Sequence, residues 1–207
     1  MKKTSGIISL KTPFSQLDFM THPLLVQLGG VGRSHEEWLS EIPNDIPLVK
    51  LTIPQAHDAA TGYIVKDDGN TWRMKKPKYM PEIISSELTN LDLTFMWTQT
   101  QSMTVEKQLH AGVRSFDFRV WVPKKKSQSP HFHHGPMMIL HRFQDTINAM
   151  REFLKQHPSE FFYVILIISG PGNHDIALDV YRQAMRNKVL SGNEVNATTT
   201  LGDVRGQ

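Results

Sequence analysis

The sequence predicts an α/β protein built on a parallel sheet or barrel. Three observations carry this reading. Candidate strands alternate with candidate helices along the chain, the pattern that folds into a parallel sheet or barrel. The stretch FFYVILII, residues 161–168, is continuously apolar and rich in β-branched and aromatic side chains, as in a buried strand. Residues 143–156 place Phe143, Ile147, Met150, Phe153 and Leu154 on one helical stripe, and Pro158 ends the helix.

The other elements follow in order. IPLVKLTI, residues 46–53, reads as a buried strand closed by Pro54. Residues 62–96 read as a long insertion holding Gly, Asn, Pro and a basic patch, Lys75, Lys76 and Lys78, beside Trp72 and Tyr79. A loop of that length is either functional or mobile. Residues 103–111 suit a short helix, with Ser102 as its N-cap and Gly112 as its stop. VRSFDFRVW, 113–121, is a strand, and a loop with Lys124, Lys125 and Lys126 follows it. HFHHGPMMIL, around 131–140, suggests one more short strand. After FFYVILII, Gly170, Pro171 and Gly172 make a loop before a helix over 175–189. There is no internal repeat.

Composition narrows the function classes. The chain has 207 residues, enough for one sizeable domain, with 39% hydrophobic and 21% charged residues, as in a soluble globular protein. It has no cysteine, which excludes disulfides and thiolate chemistry and fits a reducing compartment. The N-terminus carries two lysines but lacks the apolar core of a signal peptide, and no apolar run is long enough to span a membrane. A cytoplasmic or peripheral-membrane location is expected, with an extracellular one still open. A net charge of +3 makes no case for nucleic acid as a partner. The 10 histidines are numerous for this length, and several cluster.

The chemistry-bearing residues fall at predicted strand ends, where α/β proteins usually mount their sites. His57 and Asp58 follow the first strand directly in LTIPQAHDAA, and a carboxylate beside an imidazole can fix its tautomer and raise its basicity. In VRSFDFRVW, alternation puts Val113, Ser115, Asp117, Arg119 and Trp121 on one face. Arg114, Phe116, Phe118 and Val120 take the other, mostly apolar face, which suits packing under helices. Asp117 and Arg119 then point together into a barrel. A structural ion pair and an anion site built on the guanidinium fork both account for them. HFHHG adds His131, His133, His134 and Gly135. A metal centre would need further ligands at suitable spacing, and no HExxH or cysteine pair is present. The other use is acid–base work: one imidazole takes a proton from a hydroxyl, an arginine stabilises charge at phosphorus, and a second imidazole protonates the leaving oxygen. His131 and His141 read as loop histidines.

Four motifs in order, LTIPQAHDAAT, WTQTQSMTVEKQLHAGVRSFDFRV, HFHHGPMMIL and FLKQHPSEFFYVILI, resemble the X region of phosphatidylinositol-specific phospholipase C from about Trp38 onward. The resemblance implies a TIM-type (β/α) barrel, of which this chain holds the N-terminal half. It divides the chain into an N-terminal extension, 1–37, and an X-type domain, 38–207, with the insertion at about 62–96. It implies metal-independent cleavage of a phosphatidylinositol-like lipid, giving diacylglycerol and a cyclic inositol phosphate. His57 would be the general base and His134 the general acid, with Asp58 orienting the latter. Arg119 would clamp the phosphate, with Asp117 the carboxylate beside it. In the calcium-dependent eukaryotic form, carboxylates at these places hold the metal. The arginine two residues after Asp117 matches the bacterial form, so no metal or other cofactor is expected.

The chain departs from the family pattern in three places. Gln55 and Ala56 precede the first histidine, where the family usually reads Pro-Gly-Thr. Leu166 to Ser169 lacks the lysine that contacts inositol in bacterial enzymes, which leaves the head group open. TLGDVRGQ, 201–207, falls where the family leads into a fifth strand, and the carboxylate that supports the first histidine lies beyond it. A chain ending there would pair with another copy or be weakly active. The alternatives to a phospholipase are a catalytically weak lipid-binding module of the same fold and a histidine metal site. A lipid substrate implies transient membrane contact, for which Trp72, Tyr79 and the lysines are candidates.

Overall fold

The computed structural model describes residues 35–64, 71–73, 98–125, 129–135, 137–186 and 189–206. The N-terminal extension up to residue 34, most of the expected insertion, Lys126 and the candidate membrane contacts Lys75, Lys76, Lys78, Tyr79 and the Trp72 side chain lie outside them.

The sheet is organised around β3 (Ser115–Trp121). One edge of β3 pairs in parallel with β6 (Tyr163–Ser169) over its whole length, from Ser115 opposite Tyr163 to Trp121 opposite Ser169. Two strands share the other edge. β1 (Gln55–Ala56) runs parallel and takes Ser115 and Phe116. β4 (His131–His134) runs antiparallel and takes Val120 and Trp121. Asp117, Phe118 and Arg119 have no strand partner on that edge among the described residues. β1 and β4 thus run toward each other, stop short, and aim their C-terminal ends at one gap. β5 (Met137–Arg142) and β2 (Thr71–Arg73) extend the sheet beyond β4, both by antiparallel pairing.

Three expectations about strands need correction. HFHHGPMMIL is a hairpin, β4 and β5, rather than one strand, and Gly135 makes its turn at φ +52°. The sheet is therefore mixed, with a bulge between His131 and Phe132 that shifts the β4–β5 register. IPLVKLTI is not a strand. Pro47 leads into a 3-10 turn, Leu48–Lys50, and Val49 is 69% exposed. Leu48, Leu51 and Ile53 pack instead on a small second core of Leu39, Phe161, Leu201 and Val204. Apart from an isolated antiparallel bridge of Pro47 to Thr200, pairing begins after Pro54, whose carbonyl accepts the N–H groups of Arg114 and Ser115. Finally, the strand within FFYVILII is only partly buried, on the face of Val164, Leu166 and Ile168.

That last correction follows from the layers. Phe116, Phe118 and Val120 of β3 are fully buried, and Val164, Leu166 and Ile168 of β6 pack against the same core. Helix α2 (Phe143–Gln156) covers this side, with all five stripe residues buried as predicted. Helix α3 (Asp175–Ala184) packs beside it and ends short of the expected 189, before Arg186 turns to φ +53°. The concave side holds Ser115, Asp117, Arg119 and Trp121 opposite Tyr163, Ile165, Ile167 and Ser169. Tyr163 is 54% and Ile167 44% exposed there. The sheet is curled like half a barrel, and its inner wall is open.

Helix α1 (Val105–His110) is capped by Thr104, not Ser102: its hydroxyl accepts the Lys107 N–H at 3.5 Å. Gly112 stops the helix at φ +93°, where a Cβ would be strained. A last short helix, α4 (Leu201–Val204), starts in a capping box of Thr200 and Asp203.

Below the gap sits a buried ion pair that the sequence placed on the apolar face without its partner. Arg114 is fully buried, and its Nε donates to Glu160 Oε2 at 2.7 Å. Its Nη1 donates to the carbonyls of Leu109 and Val113, both at 2.8 Å, and Nη2 to that of Glu36 at 2.6 Å. Glu160 Oε1 accepts the Leu39 N–H at 3.1 Å. Burial lowers the proton affinity of Arg114, and Glu160 works against that. The pair joins the first described segment, α1, β3 and the entrance to β6. Glu160→Ala strands a buried guanidinium and is expected to cost about 3–5 kcal/mol, the range for breaking a buried pair from one side. Urea unfolding followed by far-UV circular dichroism measures this.

Candidate active site

The gap in the β3 edge is where the polar side chains converge. His57 and Asp58 leave β1 in a tight turn, with Asp58 in the left-handed region at φ 48°. Asp tolerates that region better than most residues because its short side chain bonds locally. Here the Asp58 carbonyl accepts from the Thr61 hydroxyl at 2.9 Å, which closes the turn. The turn points the Asp58 carboxylate inward, and its side chain is only 2% exposed.

Three side chains meet that carboxylate. Arg119 Nε lies against Oδ1. His57 Nε2 is 3.1 Å and His134 Nε2 3.2 Å from Oδ2. The Nδ1 of His57 is 2.8 Å from Asp117 Oδ2. The five residues predicted as a site, His57, Asp58, Asp117, Arg119 and His134, are therefore in direct contact. Both Asp58 oxygens, Asp117 Oδ1 and Arg119 Nε are buried without a hydrogen bond of good angle. The cluster is held by charge, and its lone pairs remain open. His134 Nδ1 is 2.8 Å from the Thr98 carbonyl. A carbonyl only accepts, so Nδ1 carries the proton. The contact of Nε2 with Asp58 is favourable when that nitrogen is protonated too, an arrangement suited to giving a proton away.

His57, Asp58 and Asp117 also bring one ligand atom each to within 4.8 Å of one another, a spacing that would suit a divalent cation. In the same place Arg119 already supplies a positive charge against Asp58.

The remaining histidines separate. His141 stacks on Tyr63 with centroids 3.8 Å apart, away from the gap. His131 stays at the start of β4. His133 Nε2 is 2.7 Å from the Ser169 hydroxyl at the end of β6, and its Nδ1 faces the Gly135 carbonyl at 3.3 Å. Sequence reasoning missed that pair. It also missed Thr61, Thr98, Thr100 and Gln101, which surround the two site histidines. A signal for Thr61 was present, since a threonine three residues after Asp58 has the spacing to close a turn.

Carboxylates, a guanidinium and two imidazoles gathered at one gap of a curled α/β sheet are groups capable of acid–base work on an anion. Residues 74–191 match the family described as phosphatidylinositol-specific phospholipase C, X domain. That is more than half of the chain, and the chain belongs to this family. Human PI-PLC X domain-containing protein 2 is 29% identical over 147 residues, covering 69% of this chain and 45% of that protein. The 1-phosphatidylinositol phosphodiesterase of Listeria monocytogenes is 25% identical over 179 residues, covering 83% and 47%. The solved phosphatidylinositol-specific phospholipase C of Staphylococcus aureus superposes with a TM-score of 0.59 at 20% identity, over 84% of this chain and 51% of that one. The half-barrel thus corresponds to about half of the bacterial phospholipase fold, and the chain spans about half the length of the relatives it matches. No helix among the described residues is long and apolar enough to cross a membrane.

Burial holds His133 and His141 below the ordinary histidine value of 6.5, and Arg119 adds to the effect at His133. The unfolded chain therefore binds protons at these positions more readily than the folded one once the pH falls below about 6.5, so stability declines in that direction. His141→Phe keeps a ring on Tyr63 and removes one proton site. Its urea midpoint is expected to fall less than that of the parent between about pH 7 and about pH 5.

Proposed function

We propose that this chain carries the acid–base and phosphate-binding part of a phospholipase C acting on a phosphatidylinositol-like lipid. The observation that supports it best is the Asp58 carboxylate, reached at once by Arg119, His57 and His134. His57 takes the proton of a head-group hydroxyl. Its Nδ1 stays on Asp117, while Nε2 exchanges Asp58 for that hydroxyl, and a side chain 64% exposed has room to make the exchange. The freed oxygen attacks phosphorus, the bond to the diacylglycerol oxygen breaks, and His134 Nε2 protonates that oxygen. The products are diacylglycerol and a cyclic phosphodiester of the head group. Arg119 keeps Nε on Asp58, and its terminal nitrogens, which make no hydrogen bond among the described residues, take the non-bridging oxygens. Asp58 keeps the guanidinium and the acid imidazole in register.

The functional unit on this reading is the X-type domain from residue 38, served by Trp72, Tyr79 and the neighbouring lysines at the lipid surface. Two parts of the relatives' chemistry bear on it. The Listeria relative is named for phosphodiester cleavage of phosphatidylinositol, and the human relative only for its domain. A lipid-binding module without turnover is therefore the second reading.

Vesicles containing phosphatidylinositol separate the two. On the enzymatic reading, water-soluble inositol phosphate is released, and His57→Ala and His134→Ala each abolish the release. Arg119→Lys keeps the charge but loses the planar fork, and is expected to slow turnover by about 10²–10³-fold. Binding to the vesicles with no release would leave the module. A chelator is expected to change nothing, because the guanidinium supplies the charge. Activity lost with chelator and restored by calcium would assign that role to a cation at His57, Asp58 and Asp117.

A further inference from the structure

The two imidazoles are supported from behind by one short stretch of chain. Residues 98–101, Thr-Gln-Thr-Gln, pass beside the gap. At one end the Thr98 carbonyl faces His134 Nδ1 at 2.8 Å. At the other, Gln101 Nε2 donates to the His57 carbonyl at 2.9 Å, and the Thr100 hydroxyl reaches the same carbonyl at 3.4 Å. The stretch is fastened to the His57–Asp58 turn by Thr61, which is 1% exposed. Its hydroxyl accepts the N–H groups of Thr100 and Gln101 at 3.2 and 3.1 Å and lies 2.9 Å from the Asp58 carbonyl. Just beyond, Gln108 of α1 donates to the carbonyls of Ala59 and Met103 at 2.9 and 2.7 Å. A Cβ on Gly62 would stand 1.7 Å from the Met103 carbonyl oxygen, so only glycine lets the two segments meet.

We infer that Thr61 and Gln101 are positioning residues, which make segment 98–101 a common support for both imidazoles. The inference rests on the acid–base reading of His57 and His134. Its physical content is geometric. β1 and β4 approach the gap from opposite ends and do not pair with each other, so no sheet hydrogen bond sets the spacing of His57 and His134. Besides their shared contact with Asp58, the polar stretch holds them, through the His134 ring at Thr98 and the His57 carbonyl at Thr100 and Gln101, with the Thr61 hydroxyl as the fastening. Thr61 is buried, and its hydroxyl and the Gln101 amide nitrogen are both engaged with backbone groups. Loss of the support therefore lowers the rate of the bound complex and leaves binding alone.

The test uses the full chain with 15N-labelled histidine side chains and phosphatidylinositol vesicles. In the parent, the His134 Nδ1 proton gives a resolved signal, slow to exchange, because the Thr98 carbonyl holds it. Thr61→Val removes the hydroxyl at constant shape, and Gln101→Ala removes the amide at a partly exposed position whose loss leaves the core intact. Each is expected to lose that slowly exchanging signal. Each is also expected to lower kcat by about tenfold to a hundredfold, the scale for misplacing reacting groups by about an ångström, with KM unchanged. Thr61→Ser, which restores the hydroxyl, brings back both the signal and kcat. Melting curves confirm that the variants are folded. An unchanged Nδ1 signal in folded Thr61→Val and Gln101→Ala overturns the inference, as does an unchanged kcat. A parent chain that releases no inositol phosphate overturns the phospholipase reading instead, and the proton signal then decides the support role by itself.

Discussion

A carboxylate buried to 2% exposure has to be neutralised, and at Asp58 that requirement shapes the site. An isolated charge in such a place costs several kcal/mol. The nearest fixed countercharge is Arg119, on the inner face of β3. Two imidazoles complete the shell, one from the end of β1 and one from the end of β4. Each belongs to a different stretch of chain, so the carboxylate draws together elements that no backbone pairing joins. The strained turn at Asp58 aims the group inward, and the Thr61 hydroxyl keeps the turn closed.

A second buried charge performs a related task below. Arg114 and Glu160 tie the first described segment and α1 to the entrances of β3 and β6. They fix the bottom of the strands whose upper halves carry the site. Arg119 of β3 and Arg114, the residue just before that strand, thus divide their work by face. Arg114 points into the packed side and Arg119 into the open side, as strand alternation requires of residues an odd number apart.

Much of this was legible in the sequence, for physical reasons. The α2 stripe is buried residue for residue, and alternation in VRSFDFRVW correctly puts Arg114, Phe116, Phe118 and Val120 on the packed side, although Val113, assigned to the other face, is also buried in the core. The five site residues came together because the ends of β1 and β4 meet the middle of β3 at one gap, where alternation puts Asp117 and Arg119 on one face. Apolar stretches alone misled. IPLVKLTI and FFYVILII have the composition of buried strands. The first packs on a small core and pairs only through an isolated bridge of Pro47 to Thr200, and the second shows one face to the open side. Periodicity reports that a residue is apolar, not what covers it. The hairpin was missed because one glycine at positive φ turns a run that otherwise reads continuously. The backbone carbonyl of Thr98 and the fastening at Thr61 leave no trace in composition, since peptide groups are the same at every position.

The irregularity in the hairpin falls on one arm only. β4 steps from His131 to Phe132 while its partner steps from Arg142 to Ile139, so the extra residues, 140 and 141, are accommodated on β5. On the turn side of that step the ladder is regular, with Phe132 opposite Ile139, His133 opposite Met138 and His134 opposite Met137. Neighbouring residues on a strand serve opposite sides. The count of residues through Gly135, rather than the slack in β5, therefore decides which of two chemically identical rings reaches Asp58 and which reaches Ser169. Length changes beyond Ile139 are the ones this hairpin can absorb.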